Sequence, residues 1–312
     1  MNDFEKYLEQ RDLSKSTIKC YNTEVMEFIV WCDIQNIEVE TSTSTEVTSY
    51  LKHLQNKGQH NKTRNINLNI LNHFFDWQIQ AGQREDNPAR HIKIRGTKSR
   101  MLYPIFTKQE LESIYHGYDV PTDEHKKAKC NWFGNYKLSR SRNKAIISLM
   151  IYQGLCTDEV NRLTIKDVKL KEGTLFIAGT RKSNERTLEF KPHQIMELME
   201  YTLQVRQSLQ ALTPTKSELY FLPTPAAGKK TITDNDGINI WKRLSQELKQ
   251  ANKKFINFQQ VRTSVITHWL KQYNLRQVQY MAGHRYISST ESYLVNQMED
   301  LQSDIEMYHP IG

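Results

Sequence analysis

The sequence predicts a mainly α-helical chain with one small antiparallel β-sheet, divided into a helical N-terminal region and a mixed C-terminal region. Three observations carry this. Apolar residues recur at spacings of three and four through the first third of the chain, as on one face of a helix. One pair of short β-rich runs further on flanks a polar turn. A length of 312 residues accommodates about two domains of ordinary size.

Ile18, Tyr21, Val25, Phe28 and Cys32 form the first stripe. Val47, Tyr50, Leu51 and Leu54 suggest a second helix, and Ile66, Ile70, Phe74 and Trp77 a third. The plainest meaning of these stripes is a helical core. Asn87-Pro88 marks a helix stop, because the residue before proline is pushed out of helical geometry. Arg90, Lys93, Arg95, Lys98 and Arg100 follow within eleven residues, with Gly96 and Pro104 nearby. That segment is either a solvated linker or a strap along a phosphate backbone. Thr107 and Glu110 have capping-box spacing, so a helix starts there. Residues 141–163 read as two helices broken near Gly154. Thr174 to Ala178 and Arg186 to Phe190 read as a β-hairpin. Helices are expected at 193–208, 236–250 and 257–271, with shorter ones after Leu275 and Ser288.

Composition narrows the function. The chain is polar, with 38% hydrophobic residues, yet its 15 Tyr, 11 Phe and 5 Trp can anchor real cores. Only 12 Gly and 8 Pro exclude collagen-like and linker-like classes. No apolar run is long enough for a membrane span. The start, Met1-Asn2-Asp3-Phe4-Glu5, has neither a basic nor an apolar leader segment, so no secretory signal is expected. Cys20, Cys32, Cys130 and Cys156 form no C-x-x-C pair and no zinc spacing. They read as reduced thiols in a cytoplasmic protein. The 43 basic and 35 acidic residues give a net charge of +8, which fits a polyanion, most simply DNA. A soluble protein with a basic bias is the plainer alternative. Lys52, Lys57, Lys62 and Arg64 lie between Val47 and Gln83, where Asp76 is the one acid.

The informative stretch begins Asn257-Phe258-Gln259-Gln260-Val261-Arg262 and continues to Gly283-His284 and then Tyr293, nine residues after that histidine. Upstream stands Gly154-Leu155-Cys156-Thr157-Asp158-Glu159-Val160. This arrangement resembles the tyrosine recombinases, the family of phage integrases and chromosome-dimer resolvases. Their signature is H-x-x-R, a Gly-His pair and a Tyr nine residues on, preceded by a Gly-Leu-Arg-x-x-Glu-Leu box. The resemblance covers nearly the whole chain. It implies a helical core-binding (SAM-like) DNA-binding domain over 1–92, a basic linker over 93–104, and a catalytic domain over 105–312 that ends in a tail helix. It also implies work on two DNA duplexes as a tetramer, beside the nucleoid, with no cofactor and no metal.

The chemistry of these residue types agrees. A Tyr phenol such as Tyr293 can attack a phosphodiester and conserve its energy as a phosphotyrosine. Arg262 can donate two hydrogen bonds to the non-bridging oxygens of the charged transition state. His284 can donate a hydrogen bond or handle a proton. Ser288 and Glu291 have capping-box spacing, which predicts that Tyr293 opens a new helix. The resemblance further places a catalytic lysine in the hairpin turn, where it protonates the leaving 5′ oxygen. Lys182 is the better match and Arg181 the alternative, because the turn register is ambiguous; a solvated turn charge is the plain reading. His268, six residues past Arg262, faces elsewhere and reads as structural.

Two positions depart from the pattern. Cys156 stands where the box has its catalytic arginine, and a thiol supplies neither permanent charge nor a hydrogen-bonding fork. Arg162 lies too far around the helix to substitute, whereas Arg181 and Arg186 in the hairpin could reach. Gln259 stands for the histidine of H-x-x-R; it can still donate to phosphate but cannot shuttle a proton. Leu294, Met298, Leu301 and Ile305 form an amphipathic tail that the resemblance docks on a neighbouring protomer. Three functions compete: an active recombinase or integrase of a mobile element, a recombinase-derived DNA-binding protein that no longer cuts, and a topoisomerase-like relaxing enzyme.

Overall fold

The computed structural model describes residues 2–96, 103–122, 124, 130, 132–213, 215–225 and 235–294. The chain separates into two compact units, Met1–Met101 and Leu102–Gly312.

The first unit holds four helices: α1 (Asn2–Gln10), α2 (Lys15–Ile34), α3 (Ser44–Asn56) and α4 (Asn61–Gln80). Ser14 caps α2 by accepting the Thr17 amide at 3.2 Å, and Glu46 returns to the Thr43 amide at the start of α3. Phe4, Phe28, Tyr50, Phe74 and Phe75 meet in the core, with Phe28 and Phe75 edge to face at 5.9 Å between ring centres. Each such ring stabilises the unit by about 1.5–3 kcal/mol through burial. Three sequence expectations need correction. The helix α1 is additional to those expected, although Phe4, Tyr7 and Leu8 have helical spacing. The buried face of α4 centres on Leu68, Leu71 and Phe75, whereas Ile66 is exposed. And α4 ends at Gln80, well before Asn87-Pro88, where Gly82 takes a left-handed turn at φ +71°. The Arg95 carbonyl accepts a bond from Asn61 Nδ2 at 3.0 Å, while the residue itself is exposed.

The second unit builds one core around α6 (Phe133–Tyr152) and α11 (Phe258–Leu270). α5 (Lys108–His116) starts in the expected Thr107–Glu110 capping box. α6 begins earlier than the sequence suggests, and a six-residue α7 (Thr157–Arg162) follows the break. That break is Gly154, at φ +60°, where a Cβ would stand 2.7 Å from the Trp269 ring. The sheet has three strands in order β1 (Val168–Lys169), β2 (Thr174–Ile177) and β3 (Arg186–Glu189), all antiparallel. Its hairpin is the expected one; the two-residue β1 is too short to show a period. The helix expected at 193–208 is α8 (Pro192–Glu200), a π-turn over Tyr201–Val205, and α9 (Arg206–Ala211). α10 (Asn235–Ala251), α12 (Leu275–Ala282) and α13 (Ile287–Glu291) complete the described elements. No described helix is long and apolar enough to cross a membrane.

Candidate active site

Four pieces of the second unit converge: the start of α7, the start of α11, the loop joining α12 to α13, and the β2–β3 turn. Glu159, in the first turn of α7, lies at their centre and is 3% exposed. Its Oε2 accepts the Cys156 amide at 2.9 Å and Arg262 Nη1 at 2.8 Å, while its Oε1 accepts Arg186 Nη1 at 2.8 Å. Burial would raise this carboxyl, but the Arg186 hydrogen bond and the two guanidinium charges pull it down to about 2. One carboxylate therefore unites two buried cations, and the trio carries a net positive charge.

Asn257 positions Arg262 by capping α11, accepting the Gln260 amide at 3.0 Å. Arg262 then directs Nη1 to Gly154 O and Glu159, and one Nη2 proton to Ala282 O at 2.7 Å. A guanidinium has five donors, so these bonds leave one on Nε and one on Nη2 for an anion.

Gly283 ends α12 in the left-handed conformation at φ +68° and delivers His284 to the cleft. The β2–β3 turn is sewn to this loop. Asn184 N donates to Gly283 O at 2.9 Å, Ser183 bridges His284, and Arg285 Nη1 donates to Arg181 O at 2.8 Å. His284 Nδ1 lies 2.9 Å from Thr290 Oγ1. Burial, then the charges of Arg262 and Arg186, lower the imidazole to about 4, so it is neutral at pH 7. The Tyr293 ring stacks on it at 5.6 Å and 15°, and Gln259 Nε2 reaches the Tyr293 hydroxyl at 3.5 Å.

The structure thus brings Tyr293, His284, Arg262, Gln259 and Cys156 to one place. Tyr293 corrects the helix expectation: α13 starts at Ile287 without a Ser288–Glu291 box, and Tyr293 lies beyond its end in a turn, its amide on Thr290 O at 3.1 Å. The thiol of Cys156, at the N-cap of α7, is raised by burial and by Glu159, and so remains protonated. His268 holds Phe106 O at 2.7 Å, away from the cleft, as a structural role requires. Lys182 is exposed on the turn, its amide on Thr180 Oγ1 at 3.2 Å; Arg181 is exposed beside it. In the first unit Lys52, Lys57, Lys62, Lys93 and Arg95 are exposed and Arg64 is half-buried. Arg90 pairs with Asp76 at 2.9 Å, which reduces its appeal as a phosphate contact. Lys98, Arg100 and the tail residues Met298, Leu301 and Ile305 lie outside the described residues. Sequence reasoning gives Glu159 no role, although its place in the box is visible, and nothing in the sequence points to Thr290.

Comparison with known proteins agrees with this geometry. Residues 106–300 match the Phage integrase family, and residues 1–84 match the phage integrase N-terminal SAM-like domain. The chain is 25% identical to the tyrosine recombinase XerC of Bacillus pumilus, over 98% of this chain and 95% of that protein. Its fold resembles XerH site-specific recombinase bound to palindromic difH substrate, at a TM-score of 0.65 and 17% identity, over 97% of this chain and 82% of that one. It also resembles a lambda integrase tetramer bound to a Holliday junction, at 0.58 and 14%, over 91% of this chain and 76% of that one.

Proposed function

The chain belongs to the phage integrase family of tyrosine recombinases, and from that premise we propose that it cuts and rejoins DNA through a covalent 3′-phosphotyrosine at Tyr293. The observation that carries this reading is the Tyr293 ring stacked on the neutral His284 with its hydroxyl at Gln259, and Arg262 in the same cleft.

The phenolic oxygen of Tyr293 attacks the phosphorus, and its proton passes to a base for which the neutral His284 is suited. The bond from phosphorus to the 5′ oxygen breaks, and Lys182 protonates that oxygen. Arg262 holds the non-bridging oxygens as charge develops, with Gln259 donating beside it. A 5′-hydroxyl from a second strand reverses the sequence, so the phosphodiester energy is conserved and no ATP is consumed. Residues 1–92 grip DNA through Lys52, Lys57, Lys62 and Arg64, residues 93–104 connect and add Lys93 and Arg95, and residues 105–312 carry the chemistry. Similarity in fold to a lambda integrase tetramer on a Holliday junction supports a homo-oligomer, and pairing of two sites through the tail, for integration of a mobile element, is part of the same proposal.

Cys156 and Gln259 favour one alternative, a DNA-binding protein that has lost cleavage. Duplexes selected by the chain from a random-sequence library and then nicked to trap the cut state separate the two. In EDTA and without ATP, a denaturant-resistant protein–DNA adduct is expected. Tight binding without any adduct supports the alternative.

A further inference from the structure

We propose that Arg186 is a positioning residue that returns to the site the positive charge missing at Cys156, delivering it from β3 through Glu159. The inference rests on the recombinase reading above.

Four observations converge on it. Arg186 is the first residue of β3, paired with Ile177, and its side chain is 0% exposed even though it adjoins an exposed polar turn. Burying an arginine beside a solvated turn is unfavourable unless a partner or a function holds it there. The partner is Glu159, which the same arginine shares with Arg262. Two arginines and one carboxylate leave one net positive charge in the cleft, the same sum as a box arginine, Arg262 and Glu159 would give.

The second observation is that Arg186 is only partly satisfied. Its Nε and Nη2 are buried and have no acceptor. An arginine placed for stability alone would have its donors matched, since each unmatched buried donor is unfavourable. The third is Gly283. A Cβ there would fall 2.2 Å from Arg186 Nη1 and 2.9 Å from its Cζ, so the guanidinium lies directly against the backbone that presents His284. Thr187 N donates to Tyr280 Oη at 3.1 Å, tying β3 to α12 and fixing that approach. The fourth is electrostatic: Arg186 is among the charges that hold His284 neutral. The cation thus acts on the reaction in two ways. Through Glu159 it fixes the Nη1 side of Arg262 and leaves its two remaining donors for an anion. Through space it biases the field at the phosphate and at His284.

The test is cleavage of the nicked duplex and titration of the labelled His284 ring by NMR, in wild type, Arg186→Met, Arg186→Lys, Cys156→Arg and the double variant Arg186→Met/Cys156→Arg. Melting curves verify folding. Arg186→Met should reduce cleavage by about 10²–10³, the typical effect of removing one anion-stabilising group. It should also raise the His284 midpoint from about 4 toward its ordinary value of 6.5. Arg186→Lys should retain more of both, and Cys156→Arg should restore cleavage to the Met variant. Cys156→Arg alone should raise cleavage by no more than about tenfold, because the site is not short of a cation; a gain of about 10²–10³ overturns the inference even where Arg186→Met fails to fold. A folded Arg186→Met that cleaves within about threefold of wild type with an unmoved His284 midpoint also overturns it, as does the absence of any rescue. A wild-type chain that yields no adduct refutes the recombinase reading instead, and the His284 titrations still judge the role of Arg186.

Discussion

The two units bury different kinds of residue. Among the described residues of the first unit, the one charged side chain in an ion pair that is nearly out of solvent is Arg84, 6% exposed and held by Val39 O, Ser42 O and Asp86, and the unit's fully buried polar residues are the neutral Ser42, Asn67, Gln78 and Asn87. The second unit buries Arg142, Glu159, Arg186, Arg206 and Arg262. Burying a charge is unfavourable, so such residues persist where a network satisfies them or a task needs them. Arg142 and Arg206 are satisfied by neutral oxygens, Leu222 O and the Asn143 side-chain carbonyl for the one and Ser217 O and Leu219 O for the other. Glu159, Arg186 and Arg262 are instead linked to one another at the cleft. The first unit is thus held by apolar packing, with Arg84 tied to backbone carbonyls and its lysines outside, which suits sequence-tolerant contact with phosphates. The second holds its cations fixed in low dielectric, which suits stabilising charge at one point.

The contrast is broken most strongly at its centre. Glu159→Gln leaves two guanidiniums facing a neutral amide, and loss of one partner from a buried network destabilises by about 3–5 kcal/mol. Phe75→Ala in the first unit should cost a similar amount, about 3–5 kcal/mol, through a cavity. Chemical denaturation across pH separates the two mechanisms. Glu159 titrates at about 2 in the folded chain against 4.5 ordinarily, so its stabilisation is complete above pH 4.5 and is lost as pH falls toward 2. Glu159→Gln should flatten that part of the profile, and Phe75→Ala should leave its shape intact.

Next comes division of labour within the cleft. Arg262→Ala should lower cleavage by about 10²–10³, and a substrate with a 5′-bridging sulfur should not restore it. That substrate needs no proton at its leaving group, so it should restore Lys182→Ala. Equal rescue of both variants would remove the distinction between their roles.

A milder effect comes from His284. Its folded value near 4 lies below 6.5, so protonation favours the unfolded chain. Stability should therefore decline as pH falls from 6.5 toward 4, and His284→Gln should remove that decline. The smallest effects belong to the surface of the first unit. Alanine at Lys52, Lys57 or Lys62 should change stability by less than about 0.5 kcal/mol. Each lysine–phosphate pairing removed in this way should make the log–log salt slope of DNA binding less negative by about 0.9. A large drop in stability at these lysines would mean that the two units are not organised differently.

The same contrast explains what can be read from the sequence. Helices packed on an apolar face announce themselves by period, so α2, α3 and the capped α5 are legible. Registers are not: Ile66 and Leu68 are both apolar, and only packing decides which one is buried. In the second unit the spacing of Arg262, His284 and Tyr293 is legible because it matches a family signature, and on the proposed function all three serve one phosphate. The partners that hold them do not announce themselves. Glu159 and Arg186 are 27 residues apart, joined by a hydrogen bond that no period encodes. Ser288 and Glu291 have the spacing of a capping box but not the backbone, because α13 has already begun at Ile287.

The central claim is that Tyr293 becomes joined to DNA. The most direct measurement is to trap the adduct on the nicked duplex, digest protein and DNA, and locate the nucleotide by mass spectrometry. A 3′-phosphonucleotide on the Tyr293 phenol, absent from Tyr293→Phe, is the predicted result. An adduct that persists in Tyr293→Phe, or that maps to another side chain, would contradict the account.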